Sequence, residues 1–345
     1  MKLGLTAGYS GKNIEIPWPL IKKAEELGYD SVWTAEAYGS DAVTPAAYML
    51  ARTEKIKVGT AIMQMPARTP ACTAMTAMTL HQLSKGRFLL GLGPSGPQVI
   101  EGWHGVAYGK PLTRTKEYVA ILRKIFAREE AVTFHGEHYE LPYMGADSTG
   151  LAKPLKSILA PAPEIPIYTA SIAPAGLTTS AEVADGVIPV WMNPERFDLL
   201  DGPLQKGFAK AGGRSLKNFD VAPFVSVVMG DDLEQCRNAV KPGLGLYIGG
   251  MGARDKNFYN DYAKRLGFED AARKIQDLYL SGKQGEAVAA VPDALIDQIA
   301  LVGPKARIKD RLEAWKEAGK NGHVGSMLLG CRQPEALEFI AEQVL

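Results

Sequence analysis

Short apolar runs alternate with longer stretches whose apolar positions recur every three or four residues, from the first residues to the last. The apolar runs at 2–7, 31–35, 57–63, 88–92, 165–170, 186–190, 221–229 and 325–329 predict strands. Helical spacing predicts helices at 19–27, 44–53, 70–83, 113–127, 174–183, 194–211, 304–318 and 334–344. Several of these open on proline and close on Gly28, Gly212 or Gly319, as helix ends favour. The strands are nearly continuous apolar runs, the pattern of strands covered on both faces. Strands each followed by a helix predict an α/β fold, specifically a (β/α)8 TIM barrel.

Two stretches exceed what such a barrel needs. Residues 131–164 start with a strand pair, VTFHGEHYELP, and continue as the loop MGADSTGLAKPLKSILAPAPE. Residues 231–293 are largely helical around GLGLYIGGMGARDKNFY. Neither has the composition of a linker, so the expectation is one domain over 1–345 carrying two insertions. Loops of that length in compact enzymes are commonly lids or binding loops.

Composition narrows the partners. The 345 residues carry 39 Lys and Arg against 38 Asp and Glu, so no global field recruits nucleic acid or an anionic membrane. No apolar run reaches about 18 residues, and Met1-Lys2 leads directly into a strand, so neither a membrane span nor a signal peptide is expected. Cys72, Cys236 and Cys331 are far apart and lie outside any C-x-x-C spacing. They read as small apolar side chains in a reducing cytoplasm. The histidines show no metal spacing, and no metal site is expected.

The candidate chemistry gathers at the C-terminal ends of the strands, where barrel active sites form. The segment LSKGRFLLGLGPSGPQVIEGWHGVAYGKPLTRTKEY, residues 83–118, is the most informative. Its strand ends in glycines that leave the mouth free of side chains. A polar loop with Trp103 and His104 follows, and then a helix carrying Arg114 opens. Gly91, Gly93 and Gly96 spell G-x-G-x-x-G, but Pro94 and Pro97 interrupt the turn and Glu117 falls in a helical pattern. A nicotinamide-binding Rossmann turn needs a helix starting inside the glycines and an acid at a strand end, so that reading is set aside.

Glu36 stands just beyond strand 2, where a partly dehydrated carboxylate would exchange a proton with substrate. A helix-capping or arginine-paired Glu36 is the plainer alternative. Gln64 would fix a planar heterocycle through its amide, or would be a polar rim residue. Gly93, Pro94, Ser95 and Gly96 form the strand-4 turn, with Gln98 beyond. Ala170, Ser171, Ile172 and Ala173 lead into the helix opening at Pro174, whose first-turn N–H groups would face a phosphate. Arg114 would hold an anionic tail bidentately, although arginines at helix starts are commonplace. Arg254 and Lys256 offer a second clamp or a solvated turn. No G-x-S-x-G, H-E-x-x-H or Walker loop occurs, which moves the hard chemistry onto a cofactor.

The segments GYDSVWTAEAYGSDA, IKVGTAIMQMPARTPA, LSKGRFLLGLGPSGPQVIEGWHG, KPLTRTKEY, IPIYTAS and GGMGARDKNFY together resemble the luciferase-like superfamily. Within it, the chain is similar to the oxidoreductases that use the deazaflavin coenzyme F420. The resemblance implies a (β/α)8 barrel, a deazaflavin or flavin over the C-terminal mouth, and a homodimer packed through barrel helices. It implies a non-prolyl cis peptide behind the ring, which by position is Ala61–Ile62. It places a cofactor loop at Gly93–Gly96, a phosphate turn at Ala170–Ala173 and an acidic residue near the ring at Glu36.

The chain departs from the superfamily's sugar-phosphate dehydrogenases, which carry histidine directly after that acid. Here Ala37 follows, and the strand-5 turn is Ser-Ile-Ala-Pro instead of a glycine pair. Glucose 6-phosphate oxidation is therefore not expected. The expected activity is hydride transfer between F420 and a small organic substrate. The substrate pocket would be closed by 143–163 and parts of the second insertion. An FMN-dependent monooxygenase and a non-catalytic deazaflavin-binding barrel are the alternatives. Lys110, Arg114 and Lys116 would form the basic path that an acidic F420 tail needs.

Overall fold

The computed structural model describes residues 1–8, 12–254 and 256–345. The strands are β1 (Lys2–Gly8), β2 (Ser31–Thr34), β3 (Lys57–Thr60), β4 (Met63–Gln64), β5 (Phe88–Gly93), β6 (Phe134–His135), β7 (Glu140–Leu141), β8 (Ile167–Ala170), β9 (Gly186–Ile188), β10 (Asp220–Val221), β11 (Phe224–Met229), β12 (Leu301–Gly303) and β13 (Ser326–Gly330). A curled parallel sheet runs in the order β10-β9-β8-β5-β3-β2-β1-β13-β11-β12, with β4 pairing β5. β6 and β7 form a separate antiparallel hairpin, as expected for 131–164.

One chain segment, residues 221–224, bonds to strands on both sides. Ala222 N donates to Val187 O and Phe224 N to Pro189 O, on the β9 side. Gly325 N donates to Val221 O and Leu328 N to Pro223 O, on the β13 side. Proline has no N–H to donate, so Pro223 divides the expected strand 221–229 into β10 and β11. Pro189 likewise ends β9 early, although Val190 still bridges to Phe224.

Strand periodicity sorts the core into two layers. Leu3, Leu5, Val32, Val58, Phe88, Leu90, Leu92, Ile167, Met327 and Leu329 pack in the large cluster that includes the surrounding helices. Their neighbours Trp33, Leu89, Tyr168, Ile188, Ala222 and Leu328 form a second cluster on the opposite face. At Gly91 the strands come too close for any side chain: a Cβ there would lie 1.8 Å from Thr60 O. Thr60 Oγ1 ties the same two strands, donating to Gly91 O at 2.7 Å and accepting from Gly91 N at 3.0 Å.

Two further expectations need correction. Strand 57–63 splits into β3 and β4, because the chain turns at Ala61–Ile62 between them. Residues 301–303 form β12, a strand absent from the sequence expectation because three residues are too few to display a period. The second insertion is helical as expected, with helices Leu233–Gly250, Phe258–Arg265, Glu269–Leu280, Gln284–Ala289 and Asp293–Ile299. They enclose a satellite core of Leu244, Ile248, Tyr262, Ile275, Leu295 and their neighbours.

Candidate functional site

The C-terminal ends of β2, β4, β5 and β8 carry most of the candidate residues, and a hydrogen-bonded chain links the first three ends. Glu36 lies two residues past β2 with its side chain 6% exposed. Its Oε1 accepts from Arg68 Nη1 at 2.6 Å and from Gln64 N at 2.7 Å. Its Oε2 accepts from Arg68 Nη2 at 3.0 Å and from Ala42 N at 2.8 Å. Burial opposes the Arg68 charge, but the bond to Glu36 together with the charges of Glu36 and Asp41 outweighs it and raises the guanidinium above its ordinary value. Glu36 thus stands just past the end of β2 with four N–H donors on its carboxylate.

The peptide bond Ala61–Ile62 is cis, at the position the resemblance implies. Beyond it, Gln64 pairs in register with Gly93 and is buried. The Gln64 amide reaches across the mouth: Nε2 donates to Ser95 Oγ at 3.1 Å, and Oε1 lies 2.7 Å from His104 Nε2. Ser95 itself sits at a φ of 57°, the left-handed turn conformation. Its carbonyl accepts from Tyr108 Oη at 3.1 Å, and burial raises the Tyr108 hydroxyl above its ordinary pKa. Gly93 is buried, Pro94, Ser95 and Gly96 are half-buried, and Gln98 is exposed.

The strand-5 turn has its own close approach. A Cβ on Gly176 would lie 2.0 Å from Ser171 Oγ, so only glycine lets Ser171 lie against the first turn of helix Pro174–Val183. In that turn Pro174 has no N–H, and the N–H groups of Ala175 and Gly176 have no acceptor inside the helix. Ile172 is buried against the satellite core, and its carbonyl accepts from Arg265 Nη2 at 2.8 Å. That bond docks helix Phe258–Arg265 beside the turn.

The expected basic path is otherwise engaged. Arg114 Nη1 donates to Tyr108 O at 2.7 Å and Nη2 to Ala107 O at 2.9 Å, which shapes the loop after β5. Lys110 pairs with Glu137 at 2.9 Å and Lys116 with Glu182 at 2.7 Å. Arg254 pairs with Asp277 on the surface. Trp103 is 66% exposed at the loop.

Sequence reasoning missed Arg68, which no spacing connects to Glu36. It named His104 without a partner. It also missed the contact of Trp191, at a φ of 55°, with Tyr259 at a centroid distance of 5.4 Å. Trp191 immediately follows Val190, the residue that bridges to Phe224, and an aromatic at a strand end was the available signal. Among the described residues no group of three or more His, Cys, Asp or Glu side chains is arranged to hold a metal ion. Among them, too, no helix is long and apolar enough to cross a membrane.

A curled parallel α/β sheet with its polar residues and glycine turns gathered at the strand C-termini defines the class of this protein. A family model described as luciferase-like monooxygenase matches residues 18–322, and the chain belongs to that family. It is 42% identical over 322 residues to a provisionally named coenzyme F420-dependent oxidoreductase of Mycobacterium tuberculosis, covering 92% of this chain and 93% of the relative. It is 27% identical over 351 residues to a 5,10-methylenetetrahydromethanopterin reductase of Archaeoglobus fulgidus, covering 100% of this chain and 99% of the relative. The fold matches that of a coenzyme F420-dependent tetrahydromethanopterin reductase from Methanopyrus kandleri, with a TM-score of 0.78, 23% identity, and coverage of 99% and 98%. It also matches an F420-dependent secondary alcohol dehydrogenase, with a TM-score of 0.76, 18% identity, and coverage of 100% and 98%.

Proposed function

We propose that this protein transfers a hydride between coenzyme F420 and a small organic substrate on a closed (β/α)8 barrel. Closure is supported by the segment 220–229, which bonds to β9 on one side and β13 on the other. The observation that carries the functional reading is the strand-5 turn. There the Ser171–Gly176 approach and the unengaged N–H groups of the first helical turn form a cradle for a phosphate. The cradle shares its end of the sheet with the glycine mouth of β5, which leaves room for a flat ring.

These residues fit a phosphorylated deazaflavin or flavin. Ala170, Ser171, Ile172 and Ala173 with the first turn of the helix would hold the phosphate. Gly93, Pro94, Ser95, Gly96 and Gln98 would border the ring, with Ala61, Ile62 and Gln64 behind it. When bound, the deazaflavin would supply two-electron hydride chemistry. Glu36 would order the site by tying Arg68 to the backbone of Gln64, and Arg114 would hold the loop of residues 107 and 108 in place. The choice of F420 over FMN is supported by the names of the relatives, since Lys110 and Lys116 are both paired with carboxylates. A homodimer through the barrel helices and a cytoplasmic location complete the reading.

Equilibrium binding of F420, FMN and NADPH side by side tests it. Tight F420 binding with weak FMN is expected. Preferential FMN binding would turn the reading to an oxygen-using flavoenzyme, and binding of neither would overturn it.

A further inference from the structure

We infer that His104 is the proton-handling side chain of this mouth, and that Gln64 determines which of its ring nitrogens carries the exchangeable proton. The inference deepens the hydride-transfer reading and rests on it. Gln64 Nε2 donates to Ser95 Oγ, so Oε1 is the amide's acceptor, and it lies 2.7 Å from His104 Nε2. An amide oxygen only accepts, so Nε2 of His104 must carry hydrogen. The neutral ring then keeps its lone pair on Nδ1, on the other side of the imidazole.

The neighbouring polar groups are committed elsewhere. Glu36 accepts four N–H groups and Arg68 spends its fork on it. Asp41 Oδ1 accepts from Val43 N and Thr44 N at the start of the next helix. Glu101 accepts from Tyr108 N, and Tyr108 Oη donates to Ser95 O. Arg114 holds two carbonyls. His104 is only half-buried, and its backbone N–H is fixed on Val99 O at 3.2 Å. Among the described residues of these strand ends it is therefore the histidine with one nitrogen held and the other uncommitted to a hydrogen bond.

The proton step balances as follows. In the reducing direction a bound reduced deazaflavin would supply a hydride, with its electron pair, to the substrate carbon and would itself be left oxidised. The adjoining substrate atom accepts a proton from Nδ1 of the imidazolium. The Nδ1–H bond breaks, its electron pair stays on the ring, and the Nε2–H imidazole that remains takes a proton back from solvent. The oxidising direction reverses each transfer.

Nitrogen-15 NMR of the imidazole in cofactor-free protein is the first test. The expected spectrum has a solvent-protected ring N–H proton of His104 correlated with Nε2. Gln64→Leu should lose that protection, whereas Gln64→Glu, which retains an acceptor, should keep it. A proton on Nδ1 in place of Nε2, or an Nε2–H signal indifferent to Gln64→Leu, would overturn the assignment. The second test is carbethoxylation with diethyl pyrocarbonate, read by peptide mass spectrometry. Saturating F420 should shield His104 at least tenfold, and equal labelling with and without bound F420 would place His104 outside the reacting region. Failure of F420 to bind would sink the functional reading and with it the proton-handling role, whereas the tautomer assignment stands or falls by the NMR experiment, which needs no cofactor.

Discussion

Glu36 and Arg68 meet as a two-point fork, with Nη1···Oε1 at 2.6 Å and Nη2···Oε2 at 3.0 Å, across two strand ends of the same mouth. The fork leaves each carboxylate oxygen one further acceptance, and the backbones of Gln64 and Ala42 take both. A carboxylate so saturated is an organiser of backbone. Protonating it would set a hydroxyl against two N–H donors and weaken the fork.

Glu36→Gln is therefore predicted to destabilise the fold by about 3 kcal/mol, because an amide nitrogen at either oxygen position would face two donors and leave Arg68 without its full charge partner. Urea unfolding followed by circular dichroism measures this. A loss below about 0.5 kcal/mol would return Glu36 to the role of a free proton carrier.

Gly176→Ala is predicted to leave stability nearly unchanged but to weaken F420 binding about tenfold. Alanine is the better helix former, yet its methyl group would occupy the position 2.0 Å from Ser171 Oγ and turn that side chain away. Combining Gly176→Ala with Ser171→Ala should cost less than the sum of the two single changes, since the clash disappears. Strict additivity in a titration of F420 fluorescence would show that the contact plays no part.

Gly91→Ala should be far more severe. The atom in the way, at 1.8 Å, is the carbonyl oxygen of Thr60, which cannot rotate aside without parting β3 from β5. A loss above roughly 4 kcal/mol, or failure to accumulate folded protein, is expected. A variant that unfolds at the wild-type midpoint would contradict this packing.

Asp297 gives the helical insertion an acid-sensitive tie. Burial alone would raise its pKa, but hydrogen bonds from Arg237 and Arg307 outweigh that and hold it below its ordinary 3.8. A carboxylate lowered by folding contributes stability that is complete above its unfolded value and is lost as pH falls through the folded one. Asp297→Asn should cost roughly 1–2 kcal/mol at pH 7. The cost should begin to shrink below pH 3.8 and fade as pH falls through the lower folded value, where wild type loses the same contribution. Denaturation midpoints at pH 7 and pH 3 compare the two proteins, and a pH-independent difference would rule out the ionised pair as the cause.

The alternation of strand and helix was legible in the chain because each element states its own period locally: Phe88–Gly93 is buried throughout, and Pro174–Val183 opens on proline after a β strand. The glycines of strand 4 and the small residues of strand 5 marked the mouth for the same reason, since backbone approach leaves its trace in residue size. Elements governed by single prolines or by three residues escaped, as the divided strand at Pro223 and the short β12 show.

What only the tertiary structure decided is which polar groups were already taken. Glu36 and Arg68 are separated by 32 residues, and Gln64 and His104 by 40. Arg114 resembled a ligand clamp until its guanidinium was found on the carbonyls of Ala107 and Tyr108. A side chain's type sets what it can donate or accept and is written in the sequence. Its partner is set by where distant strand ends converge, and no local pattern records that.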